Sequence, residues 1–198
     1  VYAGAQELMP EDAPRPLGKP VVMTTFVDAN LYHDLVNGRS VTGVLHLFNQ
    51  TVIDWYSKKQ ATVETATYGA EFVAARTAME QIIDLRIELR YLGVEVKGST
   101  MMFGDNESVV NSSSVPQARL HKRHGALSFH RVREGIAAGI AKFHHVRSAQ
   151  NPADILSKQW SHAAAWPLLQ PLLFWEGDTL DLVEDDTEST SLVQKKGE

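Results

Sequence analysis

The order of apolar segments predicts an α/β domain: a mixed five-stranded sheet flanked by helices. Three strands come first, in near succession, and helices then alternate with two further strands, giving β-β-β-α-β-α-α-β-α. The first and fourth strand segments each run out at a carboxylate, Asp28 and Asp105, and in a sheet where these two strands lie side by side both would emerge at the same edge.

Each element has its own justification. VVMTTFVDA (21–29) is rich in β-branched residues. SVTGVLHLFN (40–49) and TVIDWYSKK (51–59) read as a hairpin turning at Asn49-Gln50. A long helix follows, in which Phe72, Ala75, Met79, Ile82, Leu85, Leu89 and Leu92 recur at three- and four-residue steps. Thr67 reads as its N-cap and Gly93 closes it. STMMFGD (99–105) is the fourth strand, ESVVNSS a short helix, and LSFHRVREGIAAG (127–139) a longer helix ending at Gly139. AKFHHVRS (141–148) is the fifth strand, and NPADILSKQW opens a final helix with Pro152 in its first turn. Prolines 10, 14, 16 and 20 mark residues 1–20 as a leader. The domain proper is expected over 21–158, an apolar extension over 159–175 and an acidic, disordered tail over 176–198. The chain begins at Val1, as a fragment or a processed product would.

Composition narrows the chemistry. The 198 residues hold no cysteine, which excludes disulfides, thiol nucleophiles, iron–sulfur clusters and cysteine-ligated zinc. No apolar run reaches the roughly 18 residues of a membrane span, and no basic-then-apolar signal opens the chain. The net charge of −5 is concentrated in the tail. Residues 176–198 carry eight acids and two lysines, whereas residues 1–175 carry 16 acids against 17 bases. Within that near-neutral body, QARLHKRHGALSFHRVR (117–133) has five Arg or Lys, three His and no acid, as a polyanion-binding face would. A solvated helix face is the plainer account of the same charges.

Four acids stand out by position: Asp28 and Asp105 at strand ends, Glu71 among apolar residues at the start of the long helix, and Asp154 in the first turn of the last. Singly, each has an ordinary role in a turn or at a helix N-terminus. Together they would repel one another unless a cation compensates. An oxygen-only donor set suits a hard ion, and two such ions roughly 3.5–4 Å apart would serve an in-line phosphoryl displacement.

The segments FVDAN, GRSVTGVLHLFNQTVIDWYSKKQATVETATYGAEFVAA, MFGDNESVV, LHKRHGALSFHRVREGI and NPADILSK fall in that order over about residues 26–158. This pattern resembles the ribonuclease H domain of copia-type (Pseudoviridae) LTR-retrotransposon Pol polyproteins. The resemblance implies a ribonuclease H-like fold and endonucleolytic cleavage of the RNA strand of RNA–DNA hybrids during reverse transcription. It implies two Mg²⁺ ions, replaceable by Mn²⁺, and the family's acidic quartet falls on Asp28, Glu71, Asp105 and Asp154. It also implies a reverse transcriptase domain of the same polyprotein as partner, no membrane association, and a place in the cytoplasm, within a virus-like particle, or in the nucleus. Two departures stand out. Where the family reads S-S-T-E-A-E-Y, this chain reads ATYGAEF (66–72), with Gly69 in place of the first Glu, and Ala126 replaces the Asp of the family's basic segment.

On this reading Arg39, Ser40, Thr42, Asn106, Lys122, Arg123 and Arg131 are the candidate contacts to the hybrid. His144 and His145 read as core or surface residues, and the histidines of His121-x-x-His124 as part of the basic patch. A catalytically inactive module that binds nucleic acid or a partner domain is the alternative. A strand transferase is disfavoured by the missing cysteines and by the acid on the last helix.

Overall fold

A computed structural model describes residues 2–120 and 125–173. Strands β1 (Met23–Asp34), β2 (Arg39–Phe48) and β3 (Thr51–Lys59) precede helix α1 (Thr67–Tyr91). Strand β4 (Thr100–Gly104), helices α2 (Glu107–Ser114) and α3 (Ala126–Ala137), strand β5 (Ala141–His145) and the short helix α4 (Asp154–Ser157) follow. The five strands form one sheet in the order β3-β2-β1-β4-β5. The β1–β2 and β2–β3 pairs are antiparallel, and the β1–β4 and β4–β5 pairs are parallel. This is the mixed sheet that the order of segments predicts.

The chain divides into two compact units, 1–160 and 161–198. In the second, helix α5 (His162–Leu173) contains Pro167 and Pro171 and stacks His162 on Trp166. The acidic stretch 176–198 lies outside the described residues.

Local chemistry explains most boundaries. Asn49 and Gln50 both have positive φ, +48° and +73°, which is the backbone of a two-residue hairpin turn matched to strand twist. Helix α1 ends where expected: Gly93 (φ +73°) donates to the Arg90 carbonyl and Val94 to that of Leu89, the paired bonds of a Schellman cap. Its start differs from expectation. The N-cap is Ala66, not Thr67, and it makes no side-chain capping bond. The final helix is shorter than read, because α4 stops at Ser157 and Lys158 is already extended. Strand β5 likewise ends at His145, before a 3-10 turn over Ser148–Gln150.

One face of α1 fills the core with Phe72, Ala75, Met79, Ile82 and Leu89 against Met23, Val27, Val44 and Met102 of the sheet. Each large side chain removed from water there is worth roughly 1.5–3 kcal/mol. Strand β2 is buried on both faces, with eight consecutive buried residues over 40–47, since α1 covers one side and α4 approaches the other. Residues 2–20 contain no helix or strand but are tied to this body. Glu7 forms ion pairs with Arg86 and Arg90 of α1, and the Leu17 amide donates to the Gly93 carbonyl.

Candidate active site

Parallel pairing aligns two acids. Phe26 of β1 lies opposite Phe103 of β4, so two residues further along each strand Asp28 and Asp105 come side by side. Asp28 is not at the end of its strand, as the sequence suggests, because β1 runs on to Asp34 against β2. It is β4 that stops, at Gly104, and this opens the sheet edge at Asp28. Glu71, on the second turn of α1, faces the same opening. One carboxylate oxygen from each of Asp28, Glu71 and Asp105 lies within 4.8 Å of the other two.

They line an open cleft of about 490 Å³ together with Asn30, Thr67, Asn106 and Lys158. Asp28 and Glu71 are almost fully buried, at 1% and 6% exposure. Burial pushes the Asp28 carboxyl up to about 6, and the Asp154 and Asp105 charges add to that, while Ser157 and Lys158 oppose it. Glu71 moves in the same direction, first by burial and then by the charges of Asp28 and Asp105. Three acids crowded with their charges opposed are a donor set for a cation. The oxygen-only donors fit a hard divalent ion.

The fourth acid stands beside this group. Asp154 is buried and pairs with Lys158, whose Nζ lies 2.8 Å from its Oδ1 and 3.5 Å from Asp28 Oδ2. Lys158 therefore links Asp154 to the three-acid cluster. Two features bring α4 this close. A Cβ at position 43, opposite Asp28 in the β1–β2 register, would meet the Ala153 carbonyl at 2.6 Å, so only glycine lets α4 lie on β2. Asn151, fully buried, donates from its amide to the Val27 carbonyl at 3.0 Å and fixes the turn before α4 to the strand carrying Asp28. Hydroxyls orient two of the carboxylates: Ser157 donates to Asp28 Oδ2, and Ser148 to Asp105 Oδ2 at 2.6 Å.

No family model matches the chain. It is 29% identical over 141 residues to the retrovirus-related Pol polyprotein from transposon TNT 1-94 of Nicotiana tabacum, and 24% identical over 147 residues to that from transposon RE2 of Arabidopsis thaliana. These matches take in 71% and 74% of this chain, which spans about a tenth of the length of either relative. Among solved structures, the N-terminal RNase H domain of Rv2228c from Mycobacterium tuberculosis superposes with a TM-score of 0.50 at 16% identity, over 76% of this chain and 97% of that one. A compost-derived LC11-RNase H1, in complex with an RNA/DNA hybrid, gives 0.53 at 18%, over 68% and 92%. The chain is a relative of plant transposon Pol polyproteins with the ribonuclease H fold.

On that fold the sequence-predicted contacts divide. Asn106 is in the cleft, where its side-chain oxygen caps α2 by accepting from the Val109 amide. Arg39 is exposed at the start of β2. Ser40 and Thr42, read as hybrid contacts, are 0% and 2% exposed, and Thr42 Oγ1 accepts from Gln60. Neither can reach a ligand in solution, because β2 is covered on both faces. Arg131 pairs with Glu134 on α3, away from the cleft lining. Lys122 and Arg123 lie outside the described residues. His144 packs its ring against Phe103 in the sheet, and His145 sits 3.2 Å from the Asp105 carbonyl. Sequence reasoning missed Lys158, Ser157 and Asn151. All three lie in or beside NPADILSK, where only the acid drew attention.

Proposed function

We propose that this chain is a divalent-metal-dependent ribonuclease H that cuts the RNA strand of RNA–DNA hybrids, leaving 5′-phosphate and 3′-hydroxyl ends. The observation that carries the reading is the convergence of Asp28, Glu71 and Asp105 at the one edge where β4 stops short of β1. Asp28, Glu71 and Asp105 would hold one ion, and Asp28 with Asp154 a second, Mg²⁺ being the natural choice for such oxygens and Mn²⁺ a substitute. Ions bound there supply a water of lowered pKa and neutralise charge on the leaving 3′-oxygen.

The chain's own groups do the rest. Ser157 and Ser148 aim the carboxylates of Asp28 and Asp105. Lys158 keeps Asp154 beside Asp28 and offers a positive charge at the cleft wall, where a phosphate oxygen would lie. Asn30, Thr67 and Asn106 line the cleft with polar groups suited to ribose hydroxyls and phosphates rather than to bases. A chain matching a tenth of a Pol polyprotein is proposed to work beside the reverse transcriptase of that polyprotein.

The test is cleavage of an end-labelled RNA–DNA hybrid with Mg²⁺ or Mn²⁺, alongside single-stranded RNA, duplex DNA and the Asp105→Asn variant. Cuts confined to the RNA of the hybrid, dependent on metal and reduced more than about a hundredfold by the substitution, are expected. Hybrid bound but left whole would assign the chain to the inactive binding modules instead.

A further inference from the structure

Helix α1 carries Glu71, yet its start lacks the groups that ordinarily secure a helix N-terminus. The N-cap residue is Ala66, which makes no side-chain bond, and the first turn contains no acid. The first four N–H groups of any helix have no partner within it. In the resembling pattern S-S-T-E-A-E-Y, Ser falls at position 66 and Glu at 69, three residues apart, which is the spacing of a capping box. Here those positions are Ala66 and Gly69, so both halves of the box are missing at once.

Another carboxylate lies in that place. Glu64, in the loop before the helix, is only 4% exposed. A Cβ built on Gly69 would fall on Glu64 Oε2 and stand 3.0 Å from its carboxyl carbon and 3.4 Å from its Cβ. The Glu64 carboxylate thus occupies the space into which a residue-69 side chain would grow, at the helix end where negative charge is favoured. The loop that delivers it is anchored. Gln60, 4% exposed, donates from Nε2 to the Ala70 carbonyl at 2.8 Å and to Thr42 Oγ1 at 3.0 Å, joining the loop to the first turn of α1 and to β2.

We propose that Glu64 is a positioning residue: it supplies from the loop the carboxylate that a capping box supplies from helix position 69, and so fixes the turn from which Glu71 reaches the cleft. Gly69 is the other half of the exchange, since any side chain there would displace Glu64. A side chain at 69 and the Glu64 carboxylate compete for one space. The role in the site rests on the reading of Glu71 as a metal ligand, whereas the exchange itself does not.

The experiment uses the full chain as wild type, Glu64→Ala, Gly69→Glu and the double variant Glu64→Ala/Gly69→Glu, with Glu71→Gln as control. Melting temperature without metal and Mn²⁺ affinity by electron paramagnetic resonance are read for each. Glu64→Ala should lower the melting temperature by about 2–4 °C, the usual effect of losing a helix cap in a chain of this size, and weaken Mn²⁺ binding severalfold. Gly69→Glu alone should be worse in both. The double variant, with the carboxylate returned to position 69, should recover both. A double variant no better than Gly69→Glu, or Gly69→Glu melting with wild type, would overturn the exchange. Recovery of melting with Mn²⁺ affinity level across all four would overturn the positioning role. Glu71→Gln binding Mn²⁺ as tightly as wild type would remove the metal reading and that role with it, leaving the melting cycle to judge the exchange alone.

Discussion

Glu7 and Glu71 are both glutamates drawn out of water against helix α1, and their carboxyls move in opposite directions. Burial alone would raise Glu7, but hydrogen bonds and charge from Arg86 and Arg90 hold it down at about 2. At the other end of the helix burial raises Glu71, and its neighbours Asp28 and Asp105 raise it further. Within the Glu7 clamp Arg86 also donates to the Gly98 carbonyl and to Thr100, so a charge 3% exposed has partners on several sides. The Glu71 cluster has Lys158 and two serine hydroxyls against three converging acids. One end of α1 uses buried charge to hold the leader on the domain. The other keeps like charges together at a cost in stability, which is the arrangement expected where a cation is to be bound.

Substitution at the two ends should break the comparison open. Glu7→Ala leaves Arg86 buried without its carboxylate and should destabilise the chain by about 3 kcal/mol, seen as a lower denaturation midpoint, with Mn²⁺ affinity kept. Asp28→Asn removes one of the opposed charges and should stabilise the metal-free chain at pH 7 by about 1 kcal/mol while abolishing metal binding. Equal losses of stability from the two would mean that the carboxylate cluster is as well compensated as the clamp.

Acidity sharpens the contrast with a smaller effect. Glu7 has a folded value below its ordinary 4.5, so its contribution is present above that pH and is lost as pH falls toward 2. Asp28 has a folded value raised from 3.8 to about 6. The folded state therefore keeps a proton that the unfolded chain has released, and stability declines as pH rises from about 4 to about 6. Glu71, raised above its ordinary 4.5 by burial and by the charges of Asp28 and Asp105, adds a decline of the same sign. Thermal melts without metal should peak in mildly acidic buffer, and Asp28→Asn should flatten the fall on the alkaline side.

The same two regions show what a sequence can and cannot reveal. Glu71 is legible because a carboxylate amid apolar residues contradicts its surroundings, and Asp28, Asp105 and Asp154 because they fall at predicted strand ends and a helix start, the resemblance joining the four. Their cation is not: Lys158 follows a helix, where lysine ordinarily faces water. Ser40 and Thr42 were misjudged because RSVTG is polar enough to read as a rim, yet the unbroken SVTGVLHL that follows Arg39 marks a strand buried on both faces. The leader's prolines announced an irregular segment but not its anchor, since Glu7 finds Arg86 across 79 positions of sequence. The departure at Gly69 is visible in the sequence, but Thr67 reads as the cap of α1, and only the structure shows Ala66 there without a capping bond. Its replacement by Glu64 required coordinates.

The most direct test of the central claim is the melting temperature of wild type and Asp28→Asn at pH 7 with and without saturating Mn²⁺. If the cluster is held ready for a divalent ion, Mn²⁺ at a hundred times its dissociation constant should stabilise wild type by about 2.7 kcal/mol, and the variant should start higher and show no response. Wild type unmoved by Mn²⁺, or a variant that responds equally, would contradict the account.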